Sequence, residues 1–202
     1  MGDAGVVPAS TLTAMISASA ILSVAPAAEK YVYQLLPQMR RAAIDISDQR
    51  AAHFLAQIHH ESQGFTRVVE NLNYSADRLR QLFSRKRISA EDCERYGRTK
   101  DHPADQRMLA NILYGGEFGR RELGNTEPDD GWRFRGRGLK QVTGRANYRA
   151  VSLWWREDES VLREPEVLEQ PHGAVASAVW FWTSRRLNTL ADHASVERIT
   201  RV

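Results

Sequence analysis

Two glutamates, Glu61 and Glu70, have the spacing and surroundings that acid–base chemistry needs. Glu61 lies at the end of a helical pattern, three residues after Ile58 on its apolar face, where burial would keep the carboxyl protonated near neutral pH. Glu70 follows nine residues later, and an unbroken helix would point the two side chains to opposite sides. Because Gly64 and its neighbours break the helix, we expect Glu70 to turn back toward Glu61.

A pair of carboxyl groups that flanks one bond is the arrangement used to hydrolyse glycosidic linkages. One group donates a proton to the leaving oxygen, and the other attacks the sugar or activates a water molecule. The two carboxyls are about 5 Å apart when one is a nucleophile, and roughly 6.5–9.5 Å apart when water lies between them. The residues alone leave both geometries open.

The segment after residue 128 carries aromatic and polar side chains suited to a sugar. Trp132 and Phe134 are candidates for stacking on pyranose faces, and Arg135 and Arg137 for binding carboxylate or acetamido oxygens. Core packing is the alternative for the tryptophan, and a solvated loop is the alternative for the arginines.

Polar groups continue directly after this segment. Gln141, Thr143 and Asn147 flank a glycine where a loop enters a helix, so their amides and hydroxyl could hold water or a substrate acetamide. Tyr148 beside them is a substrate-binding candidate, with core packing as its alternative.

Helical periodicity predicts a mainly α fold with one domain over residues 1–202. The helices within residues 1–46 are expected to pack on a catalytic core of residues 47–193. Ser47 or Asp48 should cap the helix that carries Glu61, and the glycine-rich stretch 119–138 is interpreted as a long irregular loop. The helical patterns cover residues 10–25, 27–46, 48–63, 75–84, 105–113, 144–155, 171–186 and 192 to the end, with a shorter one from 89.

The composition bears on the charge of a binding partner, on disulfide bonds and on the cellular location. The net charge is only +3, which fits an anionic partner without specifying one. The single cysteine, Cys93, cannot form an internal disulfide. No basic residue precedes Lys30, so the apolar stretch 12–28 lacks the n-region of a signal peptide, and we expect a cytoplasmic protein without membrane insertion.

The histidines do not favour a metal site. His53 and His60 lie near one helix face, but a third ligand and a His-Glu-x-x-His pattern are absent. We therefore predict no metal and no other cofactor, and we place His60 among the groups that pack or bind substrate around Glu61.

Three strings in this order resemble glycoside hydrolase family 19, the plant-type chitinases and many bacteriophage endolysins. The strings are residues 52–65, 70–76 and 130–148, with a weaker match over 176–192. The resemblance implies a lysozyme-like, two-lobed helical fold with a substrate groove and hydrolysis with inversion. It implies that Glu61 is the general acid and Glu70 the base. Thr143 would orient the attacking water, while Gln141 and Asn147 would line the groove.

The second string looks like the endolysin branch, and no Cys-rich chitin-binding module is present. Both features favour peptidoglycan over chitin as the substrate of a monomeric lysis enzyme, which would leave a bacterial host's cytoplasm by a separate route. Family members usually continue beyond the last helix, whereas this chain stops at Val202. We therefore expect either a truncated C-terminus or a groove without one wall.

Two alternatives belong to other classes. A nucleic-acid-binding module is suggested by arginines interleaved with aromatic side chains between residues 120 and 140. A wall-binding protein that has lost catalysis is the other, although intact Glu61, Glu70 and Thr143 speak against it.

Overall fold

The structure, a computed structural model, describes residues 16–193. Within this range the chain is helical, and its only β pairings are isolated bridges such as Val69–Arg137 and Arg137–Val142. The predicted mainly α class is therefore confirmed. The α-helices are α1 (Ala18–Val24), α2 (Glu29–Arg41), α3 (Asp48–Glu61), α4 (Ala76–Leu82), α5 (Ala90–Tyr96), α6 (Gln106–Leu113), α7 (Gly116–Phe118), α8 (Asp130–Arg133), α9 (Arg145–Arg156), α10 (Ser160–Arg163), α11 (Pro171–Ser184) and α12 (Leu187–His193).

Three further turns of helix complete the architecture. Short 3-10 helices cover Pro26–Ala28 and Pro165–Glu169, and a π-helix over Gly119–Leu123 continues directly from α7. Their prolines occupy first-turn positions, where the missing N–H group costs nothing.

Side-chain caps explain where several helices begin. Ser47 accepts a hydrogen bond from the backbone N–H of Arg50, as predicted, and satisfies one of the donors that the first turn of α3 leaves unpaired. The residues Ser17, Ser75, Ser89 and Asp105 cap α1, α4, α5 and α6 in the same way.

The predicted helix 27–46 is too long, because α2 ends at Arg41. Ala43 adopts a left-handed conformation (φ 52°), and the N–H of Ile44 reaches back to the carbonyl of Met39 at 2.8 Å. This bond, with Ile44 buried beside it, closes the helix in a Schellman-type turn.

The prediction of an irregular loop over 119–138 is wrong in part. The π-helix and α8 both lie inside it. The Asp130 carboxylate accepts the N–H groups of Thr126 and Glu127 at 2.9 and 3.0 Å, which folds the turn into α8. A Cβ on Gly131 would lie 2.4 Å from the carbonyl oxygen of Ala110, so its bare backbone lets α8 approach α6.

The last predicted helix starts earlier than expected, since α12 begins at Leu187 rather than at residue 192. The predictions for residues 10–15 and for residues 194–202, including most of that last predicted helix, lie outside the described residues.

Three hydrophobic clusters hold the described residues together. The first joins α1 and α2 to α3, α11 and α12, and Leu35, Phe54 and Trp182 are among its buried members. The second lies among α4, α5 and α6, and its buried members are Leu72, Leu79, Ile88, Cys93, Leu109, Ala110 and Leu113. The third surrounds Phe134 and Tyr148. The N-terminal helices thus share a core with the helix that carries Glu61, while the division at residue 46 stays a prediction.

Among residues 16–193, every helix is too short or too polar to span a bilayer.

Candidate active site

The end of α3 reverses the chain immediately after Glu61. Ser62 is buried; its hydroxyl donates to the carbonyl of Ile58 and accepts the N–H of Phe65 at 2.8 Å. Gln63, Gly64 and Phe65 then adopt positive φ values of 50°, 72° and 64°. This left-handed turn is the predicted break, and burial of the Phe65 ring offsets the strain of its conformation.

The Glu61 carboxylate pairs with a lysine. Its Oε1 accepts a hydrogen bond from Nζ of Lys140 at 2.7 Å, and its side chain remains 36% exposed. The ammonium also lies 3.4 Å from Oε1 of Gln57 and 4.7 Å from the ring centre of Phe181. The burial expected for Glu61 at the edge of the apolar stripe is therefore only partial, and its charged partner is a cation.

Lys140 is carried by a tight hairpin, residues 137–142. Arg137 and Val142 exchange backbone hydrogen bonds of 3.1 and 2.8 Å at its base. Gly138 and Gln141 take positive φ values of 78° and 53°, which closes the turn. Lys140 consequently projects from the hairpin tip toward Glu61.

Glu70 docks on the same segment, one residue before the hairpin. Its N–H donates to the carbonyl of Gly136 at 2.9 Å, and its Oε2 accepts the N–H of Gly136 at 3.2 Å. A Cβ on Gly136 would lie 3.2 Å from Cβ of Glu70, a separation tighter than side chains ordinarily adopt. Glycine at this position therefore lets the glutamate approach.

The second oxygen of Glu70 accepts a hydrogen bond from the hydroxyl of Tyr114, just after α6. Burial, reinforced by the negative charge of Glu70, raises the pKa of Tyr114 far above its ordinary value. The same two causes raise the pKa of Tyr74. Both phenols therefore keep their protons at physiological pH, and Tyr114 remains a donor to the carboxylate.

The predicted polar residues follow around the hairpin. Oε1 of Gln141 lies near Gly136, on the side of Glu70, while its Nε2 donates to the carbonyl of Gly138 at 3.0 Å. Thr143 donates through its hydroxyl to the carbonyl of Gln141 at 3.1 Å. Asn147 donates to the carbonyl of Thr143 at 2.8 Å. These bonds connect the three half-buried side chains to the segment that contacts both glutamates.

The prediction that Arg137 and Tyr148 bind substrate is wrong, because both side chains are fully buried and neither presents a surface to a sugar. The guanidinium pairs with Glu169 at 2.6 Å and with Glu166 at 3.2 Å, both from the 3-10 helix 165–169. The tyrosine hydroxyl accepts from Arg137 at 3.1 Å and donates to the carbonyl of Arg135 at 2.6 Å. The two residues support the hairpin from beneath.

Phe134 is also fully buried, which excludes the predicted stacking on a pyranose. The burial of Phe134 also weakens the nucleic-acid interpretation, as do the pairings of two of its cations, Arg137 and Lys140, with glutamates.

Trp132 remains half-buried, with the guanidinium of Arg135 3.8 Å from its ring centre. Both residues line a cavity of about 330 Å³ that also contains Arg133 and Arg163. His60 is exposed at the end of α3. Across residues 16–193 no three His, Cys, Asp or Glu side chains come together as metal ligands.

The sequence did not predict two contacts of this site: that of Tyr114 with Glu70 and that of Lys140 with Glu61. Tyr114 is 44 positions from Glu70, and Lys140 is 79 from Glu61. Neither belongs to a local pattern that points to its partner, and only the Gly115-Gly116 pair after Tyr114 marks the turn that holds it.

Glu61 and Glu70 thus both contact the segment 136–140 of a helical protein, and a comparison with known proteins shows its class. A curated protein of Haemophilus influenzae (strain ATCC 51907 / DSM 11121 / KW20 / Rd), described as a glycosyl hydrolase family 19 domain-containing protein, is 35% identical over 190 residues. The match covers 94% of this chain and 88% of that protein. No protein-family model matches the chain. The chain belongs to glycoside hydrolase family 19 and is a glycoside hydrolase.

Proposed function

We propose that this family 19 enzyme cleaves β-1,4 bonds in the glycan strands of peptidoglycan by an inverting mechanism, with Glu61 as the acid and Glu70 as the base. One observation supports these roles above all others. Both carboxylates contact the five-residue segment 136–140, Glu70 through Gly136 and Glu61 through Lys140. The last residue of α3 and a residue of the loop that follows it thus lie along one short stretch of chain.

In the proposed reaction, Glu61 donates a proton to the bridging oxygen as positive charge develops at the anomeric carbon. Water attacks the opposite face of the sugar and gives its proton to Glu70. The C–O bond to the leaving sugar breaks as the bond to water forms, so the product has the opposite anomeric configuration. Thr143, next to Gln141, would orient that water.

The hydrogen bonds of Glu70 suit the role of base. Donors on both oxygens, Tyr114 and Gly136, stabilise the carboxylate and fix its direction. Glu61 has a different partner, and it must enter the reaction protonated. We infer that its contact with Lys140 loosens as substrate fills the site, leaving the ammonium over Phe181 and beside Gln57.

Charge favours peptidoglycan over chitin. The cavity at Trp132 is lined by three arginines, Arg133, Arg135 and Arg163, and by two carboxylates, Asp129 and Glu166, which pair with Arg107 and Arg137. Hydrogen bonds from Arg133 and Arg135 go to backbone carbonyls, which leaves their positive charge available to an anionic ligand. Peptidoglycan carries carboxylates on its stems, whereas chitin is neutral, so only the former uses these arginines in charge-assisted bonds.

We further propose that the enzyme acts in lysis of a bacterial cell, as bacteriophage endolysins do. The likeness of residues 70–76 to that branch supports this role. The protein would then accumulate in the cytoplasm and act, without a cofactor and as a monomer, once another protein opens the way to the wall.

The decisive experiment is digestion of purified peptidoglycan and of chitin oligomers, followed by mass spectrometry and NMR of the first products. We expect new reducing ends, intact peptide stems, the α-anomer first, and faster turnover of peptidoglycan. Glu61→Gln and Glu70→Gln should each lower the rate about 10²- to 10⁴-fold, as loss of a general acid or base does. Glu117→Gln, an exposed glutamate paired with Arg121, is the matched control and should retain full activity.

Other results would reject specific parts of the proposal. Cleaved peptide stems would exclude a glycosidase, and a β-anomer would exclude inversion. Preference for chitin would overturn the substrate assignment. Equal clearing of cell walls by wild type and Glu61→Gln would favour a binding protein that does not hydrolyse the wall.

A further inference from the structure

A second cavity lies between α2, α9 and α11 and has a volume of about 500 Å³. This is within the range of about 300–1,000 Å³ that small-molecule sites occupy. Its polar and aromatic lining comes from all three helices: Gln34, Gln38, Arg41, Trp154, Trp155 and His172.

This cavity is separated from the two glutamates by α11. Phe181 points from that helix toward Lys140, whose ammonium lies 4.7 Å from the ring centre. Val179 and Thr183 line the cavity. Since each residue turns a helix by about 100°, positions two before and two after Phe181 face the opposite side. The cavity is therefore outside the active site.

Trp154 gives the cavity an exposed aromatic face. Its side chain is 46% exposed, although burial is strongly favoured for an indole. Trp155 beside it is fixed, with His172 at 4.7 Å edge-on and the Arg156 guanidinium 4.0 Å from its ring centre. One tryptophan is thus anchored by protein groups while its neighbour remains open to a ligand.

Hydrogen-bonding groups surround that face. The amides of Gln34 and Gln38 both donate and accept, and Arg41 supplies a cation. Burial lowers the pKa of His172, so its ring is neutral at physiological pH. None of the described lining residues is acidic. The site therefore suits a neutral or anionic ligand with an apolar ring face and several polar substituents.

We propose that this cavity is a non-catalytic binding site for a second stretch of amino-sugar polymer. A pyranose ring stacks on Trp154, acetamido and hydroxyl groups bond to Gln34 and Gln38, and a carboxylate of the polymer pairs with Arg41. The inference rests on the proposed function for the identity of the polymer. Its consequence is that the enzyme holds an insoluble wall with α2 and α9 on one side of α11 while it cuts on the other side.

The chain supplies a matched control for the test. Leu153 is 47% exposed on the same helix and does not line the cavity. We would compare Trp154→Ala with Leu153→Ala by sedimentation with insoluble peptidoglycan, each in a Glu61→Gln background so that the polymer survives. Loss of one stacked aromatic should weaken binding about three- to tenfold in Trp154→Ala, and the leucine variant should bind normally.

Activity gives the second readout. With Glu61 intact, Trp154→Ala should hydrolyse insoluble peptidoglycan more slowly but turn over short soluble glycan fragments at the wild-type rate. Equal sedimentation of the two variants would overturn the proposal, and so would an equal loss on soluble fragments. If the wild type is a dimer and Trp154→Ala, but not Leu153→Ala, is a monomer, the cavity binds a second copy of the chain instead.

The same design separates the two proposals. If wild-type protein releases no product from any glycan but Trp154→Ala still sediments less than Leu153→Ala, the proposed reaction fails and the binding site stands. If products form and the variants sediment equally, the reaction stands and the binding site fails.

Discussion

Replacement of Tyr114 by phenylalanine tests how the proposed base is held. The substitution keeps the ring and removes only the hydroxyl that donates to Oε1 of Glu70. The other oxygen keeps its bond from the N–H of Gly136. Glu70 should therefore stay near its position but lose one of two hydrogen bonds that fix its direction.

The expected loss follows from the strength of that bond. A hydrogen bond to a charged group contributes about 1.5–3 kcal/mol. Glu70 is half-buried, so water can partly replace the lost donor, and the lower end of this range applies. At 1.36 kcal/mol per factor of ten, we expect kcat to fall about tenfold. KM should stay constant, because the hydroxyl contacts the base rather than the sugar.

Steady-state kinetics on soluble peptidoglycan fragments would measure both constants, and Tyr74→Phe is the matched control. Tyr74 is also half-buried and close enough to Glu70 for the carboxylate charge to raise its pKa. Within residues 16–193, however, the hydrogen bonds to the Glu70 carboxylate come from Tyr114 and Gly136 and not from the Tyr74 hydroxyl. The control should therefore retain wild-type kcat.

An unchanged kcat in Tyr114→Phe would refute the reasoning, because a base that needs no fixed direction does not depend on that hydroxyl. A similar fall in Tyr74→Phe would assign the effect to general packing around α6. A higher KM at constant kcat would instead place Tyr114 in substrate binding.

Two further predictions concern stability. Burial opposes the charge of Asp130, but hydrogen bonds from Arg145 and from two N–H groups outweigh it and hold the pKa of Asp130 below the ordinary 3.8. Asp130→Asn should therefore cost about 2 kcal/mol in urea unfolding at pH 7. This difference should begin to shrink as the pH falls below about 4 and vanish below the lowered pKa, whereas a difference that stays constant from pH 7 to pH 2 would contradict the charge-based account. Gly144→Ala should lower the free energy of unfolding by about 3 kcal/mol, because φ is 93° and a Cβ would lie 2.8 Å from the carbonyl oxygen of Leu123. The control is Gly116→Ala, at a position with a positive φ but open space, which should cost only about 1 kcal/mol. Equal losses in the two variants would show that close packing contributes nothing.

The parts of the fold that sequence predicted are those governed by local interactions. Ser47 lies next to the helix that it caps, and Gly64 lies in the turn that it permits, so their patterns are visible in a few residues. The Schellman-type end of α2 was missed because Ala43 is not a residue that ordinarily adopts a left-handed conformation.

The errors at the site have a different cause, since they depend on partners far along the chain. Arg137 lies between glycines in a polar stretch and was expected at the surface. The 3-10 helix 165–169 supplies Glu166 and Glu169, about 30 positions later, and their charges make its burial possible. Lys140 likewise changes the surroundings of Glu61 from 79 positions away. No local pattern contains these pairings.

The double attachment of Glu70 makes its position sensitive to movement between parts of the molecule. Tyr114 follows α6 and packs with the second hydrophobic cluster, whereas Gly136 belongs to the segment beneath which Arg137 is anchored. A rigid shift of α4–α6 would stretch the bond to the tyrosine and leave the bond to the glycine intact. The catalytic rate of the enzyme would then depend on that displacement. A crosslink between α6 and the hairpin would fix the distance between the two groups that hold Glu70.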